Sequence, residues 1–351
     1  MATPILRLVL SRQREQTLQS NGTALLPLAI IVNLLLPKST VAKLLIILML
    51  IGSATACHAK STRESGPLNE QTFFTPLRQS AQPGDEIGEL FHQGRQRTYY
   101  LHTPKSYQPN HSIPLVLAFH GYGSQGSSLA LSTGFNDLAE QKGFIVVYPN
   151  GIERRWDVMS NALIGVDDVS FVSALIDQLT KIRAIDKRRI YATGVSNGGF
   201  LVQRLACEPK SQIAAFASVV ATLPGELQPF CHPETPIDLL MINGTGDRKV
   251  PWEGGSPPKV PYGWILSVPD TINFWQQHDG CTAPAQIKQL PGNRIEISRY
   301  PNCRDGSEVE LVTMKGVGHV WPRGGSGPNH LLNGSKEIWD FFQRHFRRMS
   351  P

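Results

Sequence analysis

The chain has 351 residues, 41% of them hydrophobic and 18% charged, with 34 Lys and Arg against 28 Asp and Glu. That balance excludes a disordered chain, and 31 glycines and 26 prolines without a short period exclude collagen and solenoid repeats. Arg7, Arg12, Arg14, Lys38 and Lys43 face Glu15 alone within the first 56 positions, so the rest of the chain is close to neutral and no nucleic-acid partner is expected.

Residues 44–51 are eight apolar side chains directly after Lys43, and Gly52, Ser53, Ala54, Thr55 and Ala56 follow. A basic flank, a short apolar run and small residues make a secretory signal. Eight residues do not span roughly 30 Å of hydrocarbon as a helix. A second apolar stretch, 24–36, is broken by Pro27 and Asn33 and reads as an extended leader or a start codon placed too early. An uncleaved anchor made from both stretches is the alternative. Ala54-Thr55-Ala56-Cys57 resembles a bacterial lipoprotein signal, which makes Cys57 a candidate for lipidation. Ala54-x-Ala56 equally suits cleavage to a free protein. The expected location is extracytoplasmic, and the only membrane contact foreseen is a lipid or leader anchor. Residues 1–56 are thus a leader, 57–85 a polar tether, and 86–351 one catalytic domain.

Within that domain, segments 87–92 and 97–102 flank Gly94 and predict a hairpin. Strands are expected at 114–119 and 144–148, with a helical rhythm at 128–142 between them. Val172, Leu175, Ile176 and Leu179 predict a helix over 169–182. A strand at 189–193, a helix at 198–206 and strands at 214–220 and 237–242 follow. A helix at 268–278, a strand at 309–314 and a helix at 335–346 complete the pattern. Strand alternating with helix implies an α/β domain with a mostly parallel central sheet and helices on both faces.

Cys207, Cys231, Cys281 and Cys303 remain after Cys57, an even number that suits disulfides in an exported chain. Three pairings are open, and proximity favours Cys207 with Cys231 and Cys281 with Cys303. A zinc site competes, but no cysteine pair has the two-residue ligand spacing. No metal is expected.

Gly194-Val195-Ser196-Asn197-Gly198 fits Gly-x-Ser-x-Gly between a strand and a helix, the setting of a nucleophile elbow in an α/β-hydrolase. An ordinary turn with Ser196 as helix cap is the plain alternative. A serine hydroxyl needs a base, and in this fold the acid and base follow in that order. Asn243-Gly244-Thr245-Gly246-Asp247 ends one strand and Lys315-Gly316-Val317-Gly318-His319 another. His319 is expected to take the Ser196 proton, with Asp247 fixing its tautomer. Asp238, Asp270, Asp279, Asp305 and His120 are weaker rivals by position or chain order, and His120 reads as a buried hydrogen-bonding anchor. The expected oxyanion donors are the backbone N–H groups of Asn197 and Tyr122. Gly121-Tyr122-Gly123-Ser124-Gln125-Gly126 also fits a dinucleotide loop, but the next strand ends Tyr148-Pro149-Asn150-Gly151 without a carboxylate. No cofactor is expected.

Taken together, His120-Gly121-Tyr122-Gly123, Tyr148-Pro149-Asn150-Gly151, Asp167-Asp168-Val169-x-Phe171, residues 194–199, Gly244-Thr245-x-Asp247 and Gly318-His319-x-Trp321-Pro322 are specific. They resemble the esterases named for polyhydroxybutyrate depolymerases, a family that also includes feruloyl and acetylxylan esterases. The resemblance implies an α/β-hydrolase with Ser196, Asp247 and His319 as triad, and cysteines placed like Cys207/Cys231 and Cys281/Cys303. Solid-polyester members carry a polymer-binding module; this chain ends at Pro351 after the closing helix, so attack on insoluble polymer is not expected. Cysteines that many feruloyl-type members carry near the oxyanion loop and near Trp156 are missing.

Trp156, Trp252, Trp264 and Trp321 fall in loops near strand ends, where they would stack on a phenolic ring or sugar or simply pack those loops. Asp167 and Asp168 read as helix caps. The expected activity is an exported serine esterase acting through an acyl-enzyme on small-molecule or oligomeric esters: short-chain, hydroxyalkanoate-oligomer, or phenolic and acetyl polysaccharide esters. A lapsed carbohydrate-binding protein and a serine peptidase of the same fold are the alternatives.

Overall fold

A computed structural model describes residues 83–159, 165–257, 263–324 and 332–347. The expected leader, Cys57 and most of the tether lie outside the described residues. Ten strands form one sheet: β1 (Gly84–His92), β2 (Arg95–Thr103), β3 (Ile113–Phe119), β4 (Ile145–Pro149), β5 (Ile185–Val195), β6 (Ala215–Val219), β7 (Leu239–Gly244), β8 (Gln286–Gln289), β9 (Ile295–Tyr300) and β10 (Val309–Met314). Their order is β1-β2-β4-β3-β5-β6-β7-β10-β9-β8. The six central strands, β4 to β10 in that order, run parallel, and an antiparallel pair finishes each edge.

Every residue of β3 and β4 is buried, as a strand covered on both faces requires. Leu115, Leu117 and Phe119 point into one core with Phe171, Val172 and Leu175 of α3 (Asp168–Ile182), Phe200 and Leu201 of α4 (Asn197–Ala206), and Ile272 and Trp275 of α5 (Val268–Asp279). Val116 and Ala118 point the other way, into a core with Leu129 of α1 (Gly126–Thr133), Phe135 and Ala139 of α2 (Phe135–Lys142), and Trp339 and Phe342 of α6 (Gly334–Phe342). Each fully buried Leu, Ile, Val or Phe among them contributes about 1.5–3 kcal/mol of transfer free energy.

Four differences from the sequence reading have clear causes. The helical rhythm at 128–142 is two helices, because Gly134 at φ 70° closes α1 and opens α2. The tether ends earlier, since Gly84 and Asp85 already pair with Thr103 and His102 in the sheet. The closing helix stops at Phe342 rather than 346. Strands β8 and β9 were not foreseen: Gln-Ile-Lys-Gln in β8 is exposed throughout and shows no buried face. The cysteines pair 207 with 231 and 281 with 303, the second bond closing the base of the β8–β9 hairpin. At its other end Lys315 N–H donates to Arg294 O at 2.8 Å.

Candidate active site

The site grows from the ends of β5, β7 and β10, with β6 lying between the first two. Ser196 sits between β5 and α4 at φ 55°, ψ −118°, a positive φ that costs a non-glycine residue about 1–3 kcal/mol. The surroundings hold it there: its N–H donates to Val219 O and its carbonyl accepts from Phe200 N–H, both at 2.9 Å. Glycine at 194 and 198 permits the tight approach. A Cβ on Gly194 would collide with Gly198 O, and one on Gly198 with Phe119 O.

Strands β7 and β10 are parallel neighbours, so the loops leaving them run side by side. Gly246 N–H donates to Val317 O at 3.0 Å and Gly316 N–H to Thr245 Oγ1 at 2.8 Å. This brings Asp247 Oδ2 to 2.7 Å from His319 Nδ1. The other oxygen, Oδ1, accepts the N–H groups of Lys249 at 2.8 Å and Val250 at 3.0 Å. The Asp247 side chain is 1% exposed, so its carboxylate is locked in orientation. Donation from Nδ1 to Asp247 leaves the lone pair of neutral His319 on Nε2. Ser196 Oγ makes no hydrogen bond with His319 in this structure.

The loop after β3 reaches over the serine, where a Cβ on Gly121 would lie 3.5 Å from Ser196 Cβ. His120 is fully buried; its Nε2 accepts Gly151 N–H at 3.0 Å, which puts the proton on Nδ1, donating to Gly121 O at 2.8 Å. Burial holds its pKa below the usual imidazole value. It is the anchor the sequence reading expected. Tyr122 is exposed, and its N–H meets no protein acceptor among the described residues.

The tryptophans divide. Trp156 does not line a substrate path: it is 1% exposed, with Nε1–H donating to His120 O at 2.8 Å. Its ring packs edge-on to Phe119 because both fill the core beneath the site. Trp252 is half-buried, resting on that core beyond Asp247. Trp321, half-buried next to the His319 loop, packs edge-on to Phe135 and donates to Ser335 Oγ at 3.2 Å. Trp264 is half exposed.

Among the rivals, Asp270 bonds the Ser267 cap of α5, Asp279 is buried and accepts Ile237 N–H, and buried Asp238 accepts Glu308 N–H. All three are structural. Asp167 caps α3 through Ser170 N–H, but Asp168 is no cap. It is buried, bound to Arg97 Nη2 at 2.7 Å and to Asp157 N–H at 2.7 Å. Arg97 also reaches Asn150 O at 3.2 Å and lies over the Phe171 ring. Nothing in the periodicity of β2 announces a buried arginine, so this support behind the site escaped the sequence reading. The Asn197 side chain escaped it too: Oδ1 accepts Trp156 N–H at 2.7 Å, while Nδ2 donates to Trp156 O at 3.1 Å.

Comparison with known proteins agrees with this architecture. The family described as esterase PHB depolymerase matches residues 98–229. Feruloyl esterase C of Emericella nidulans is 30% identical over 193 residues, 52% of this chain and 68% of that one. Feruloyl esterase B of Piromyces equi is 28% identical over 249 residues, 69% of this chain but 44% of its own length. Among solved structures, acetyl xylan esterase from Aspergillus awamori superposes with a TM-score of 0.54 at 16% identity, covering 74% of this chain and 99% of that one; at that identity the likeness speaks for the α/β-hydrolase fold. The family match and the relative spanned over two thirds of its length lead to one conclusion: the chain belongs to the polyhydroxybutyrate-depolymerase-type esterases and is itself an esterase.

Proposed function

We propose that this esterase is an exported serine carboxylic-ester hydrolase working through an acyl-enzyme. Ser196 Oγ attacks the ester carbonyl while His319 Nε2 takes its proton; the imidazolium then returns that proton to the leaving alcohol. Water, deprotonated by the same nitrogen, releases the acid. Asp247 holds the tautomer and stabilises the cation. The N–H groups of Tyr122 and Asn197 receive the developing oxyanion. The observation that carries the reading is the 2.7 Å contact between Asp247 and His319, on loops leaving the same sheet as the strained serine. Serine-to-histidine contacts of this kind often tighten only with substrate bound.

The substrate class is a short-chain, hydroxyalkanoate-oligomer, or phenolic or acetyl polysaccharide ester. Feruloyl and acetyl xylan esterases among the similar proteins support the last of these. Trp252 and Trp321 are the partly exposed rings available beside the loops of Asp247 and His319. The two disulfides support passage through an oxidising compartment.

Labelling with a fluorophosphonate tests the mechanism, because only an activated serine reacts. The native protein should label and Ser196→Ala should not, with kcat on nitrophenyl acetate, methyl ferulate or acetylated xylan falling by about four to six orders of magnitude. Near-normal turnover by Ser196→Ala would remove the mechanism.

A further inference from the structure

We propose that Trp156 and the Asn197 side chain are positioning residues that set the separation of the two oxyanion donors. The inference rests on the serine-esterase reading and extends it to residues that never touch substrate. One donor, Tyr122 N–H, lies beyond the end of β3; the other, Asn197 N–H, opens α4. Sheet pairing between β3 and β5 ends at Phe119 and Gly194, short of both. Past that point the segment 151–156 bridges the two loops.

Its bonds run in a closed circuit. Trp156 Nε1–H donates to His120 O at 2.8 Å, gripping the start of the Tyr122 loop. The Trp156 main chain is clasped on both sides by the Asn197 amide, at 2.7 and 3.1 Å. Gly151 N–H donates to His120 Nε2 at 3.0 Å, and Arg154 O accepts Gly123 N–H at 2.8 Å. To present that carbonyl, Glu153 and Arg154 adopt φ of 51° and 59°, two adjacent non-glycine residues in the left-handed region. Backbone strain of this sort persists only where surrounding structure over-determines it. A tryptophan serving only as core filler would need one acceptor for its indole. Here that acceptor belongs to the oxyanion loop, and the main chain is held by the residue after the nucleophile.

A shift of about 1 Å in a catalytic donor costs on the order of 100-fold in rate. Sulfur accepts hydrogen bonds weakly, so a thionoester draws little help from the oxyanion donors. The comparison is therefore between an aryl ester and its thionoester of identical acyl and leaving groups. Trp156→Phe keeps most of the ring and removes the indole donor; Asn197→Ala releases the clasp and serves should the first variant fold poorly. For each, kcat on the oxygen ester should fall about 10- to 100-fold with KM little changed. The thionoester should slow by less than about threefold, collapsing the ester-to-thionoester ratio. Equal losses on both substrates, or no loss on either, would overturn the proposal. Full turnover by Ser196→Ala would instead overturn the reading beneath it, and the two failures are distinct.

Discussion

Asp247 divides its carboxylate between two tasks: Oδ1 holds its own loop through Lys249 and Val250, while Oδ2 faces the His319 ring. Asp247→Asn keeps the first task and reverses the second. The amide –NH₂ would face Nδ1, which must then accept, sending the ring proton to Nε2, where the proposed mechanism needs a lone pair. Turnover should fall about 10⁴-fold while the thermal midpoint barely moves; steady-state kinetics beside a melting curve would show both. The contact between Asp247 and His319 was legible in the sequence, as was the candidacy of Ser196, because each residue follows a glycine-bearing turn at the end of an apolar run. Arg97, Asp168 and Asn150 were not, because their meaning lies in contacts between distant strands that no local pattern records.

At the scale of elements, sequence period foretold the buried strands and the amphipathic helices well and failed where a single glycine or a polar edge decides. The break at Gly134 is one case and the β8–β9 hairpin another. α5 shows how an element's end sets pH response. His278 Nδ1 faces Asp279 Oδ1 at 2.7 Å and Nε2 faces Pro233 O at 3.1 Å. Two acceptors favour a doubly protonated ring, and the Asp279 bond raises its pKa above the ordinary 6.5. The folded state therefore holds this proton more tightly than the unfolded chain. The stabilisation is complete below pH 6.5 and is lost as pH rises through the folded value. Thermal midpoints measured at rising pH should decline above 6.5, and His278→Gln should flatten that part of the profile; an unchanged slope would refute the assignment.

Across the whole molecule, the parallel strands gather their carboxyl-terminal ends on one side, and the site occupies that side as open α/β sheets generally arrange it. The overall architecture was readable from strand–helix alternation, whereas the antiparallel edges were only half visible: β8 is exposed and carries no apolar signature, and β9 buries only Ile295, Ile297 and Ser298 of its six residues. The outermost hairpin joins edge to centre. Its base is fastened by Cys281–Cys303, and its tip, through Arg294 O, steadies Lys315, four residues ahead of His319. A covalent link at the far edge is thus joined, through one hairpin and one backbone hydrogen bond, to the loop that carries His319. If the proposed base His319 depends on that hairpin, replacing both cysteines with serine should slow ester turnover about two- to fivefold. The circular dichroism of the folded state should stay the same.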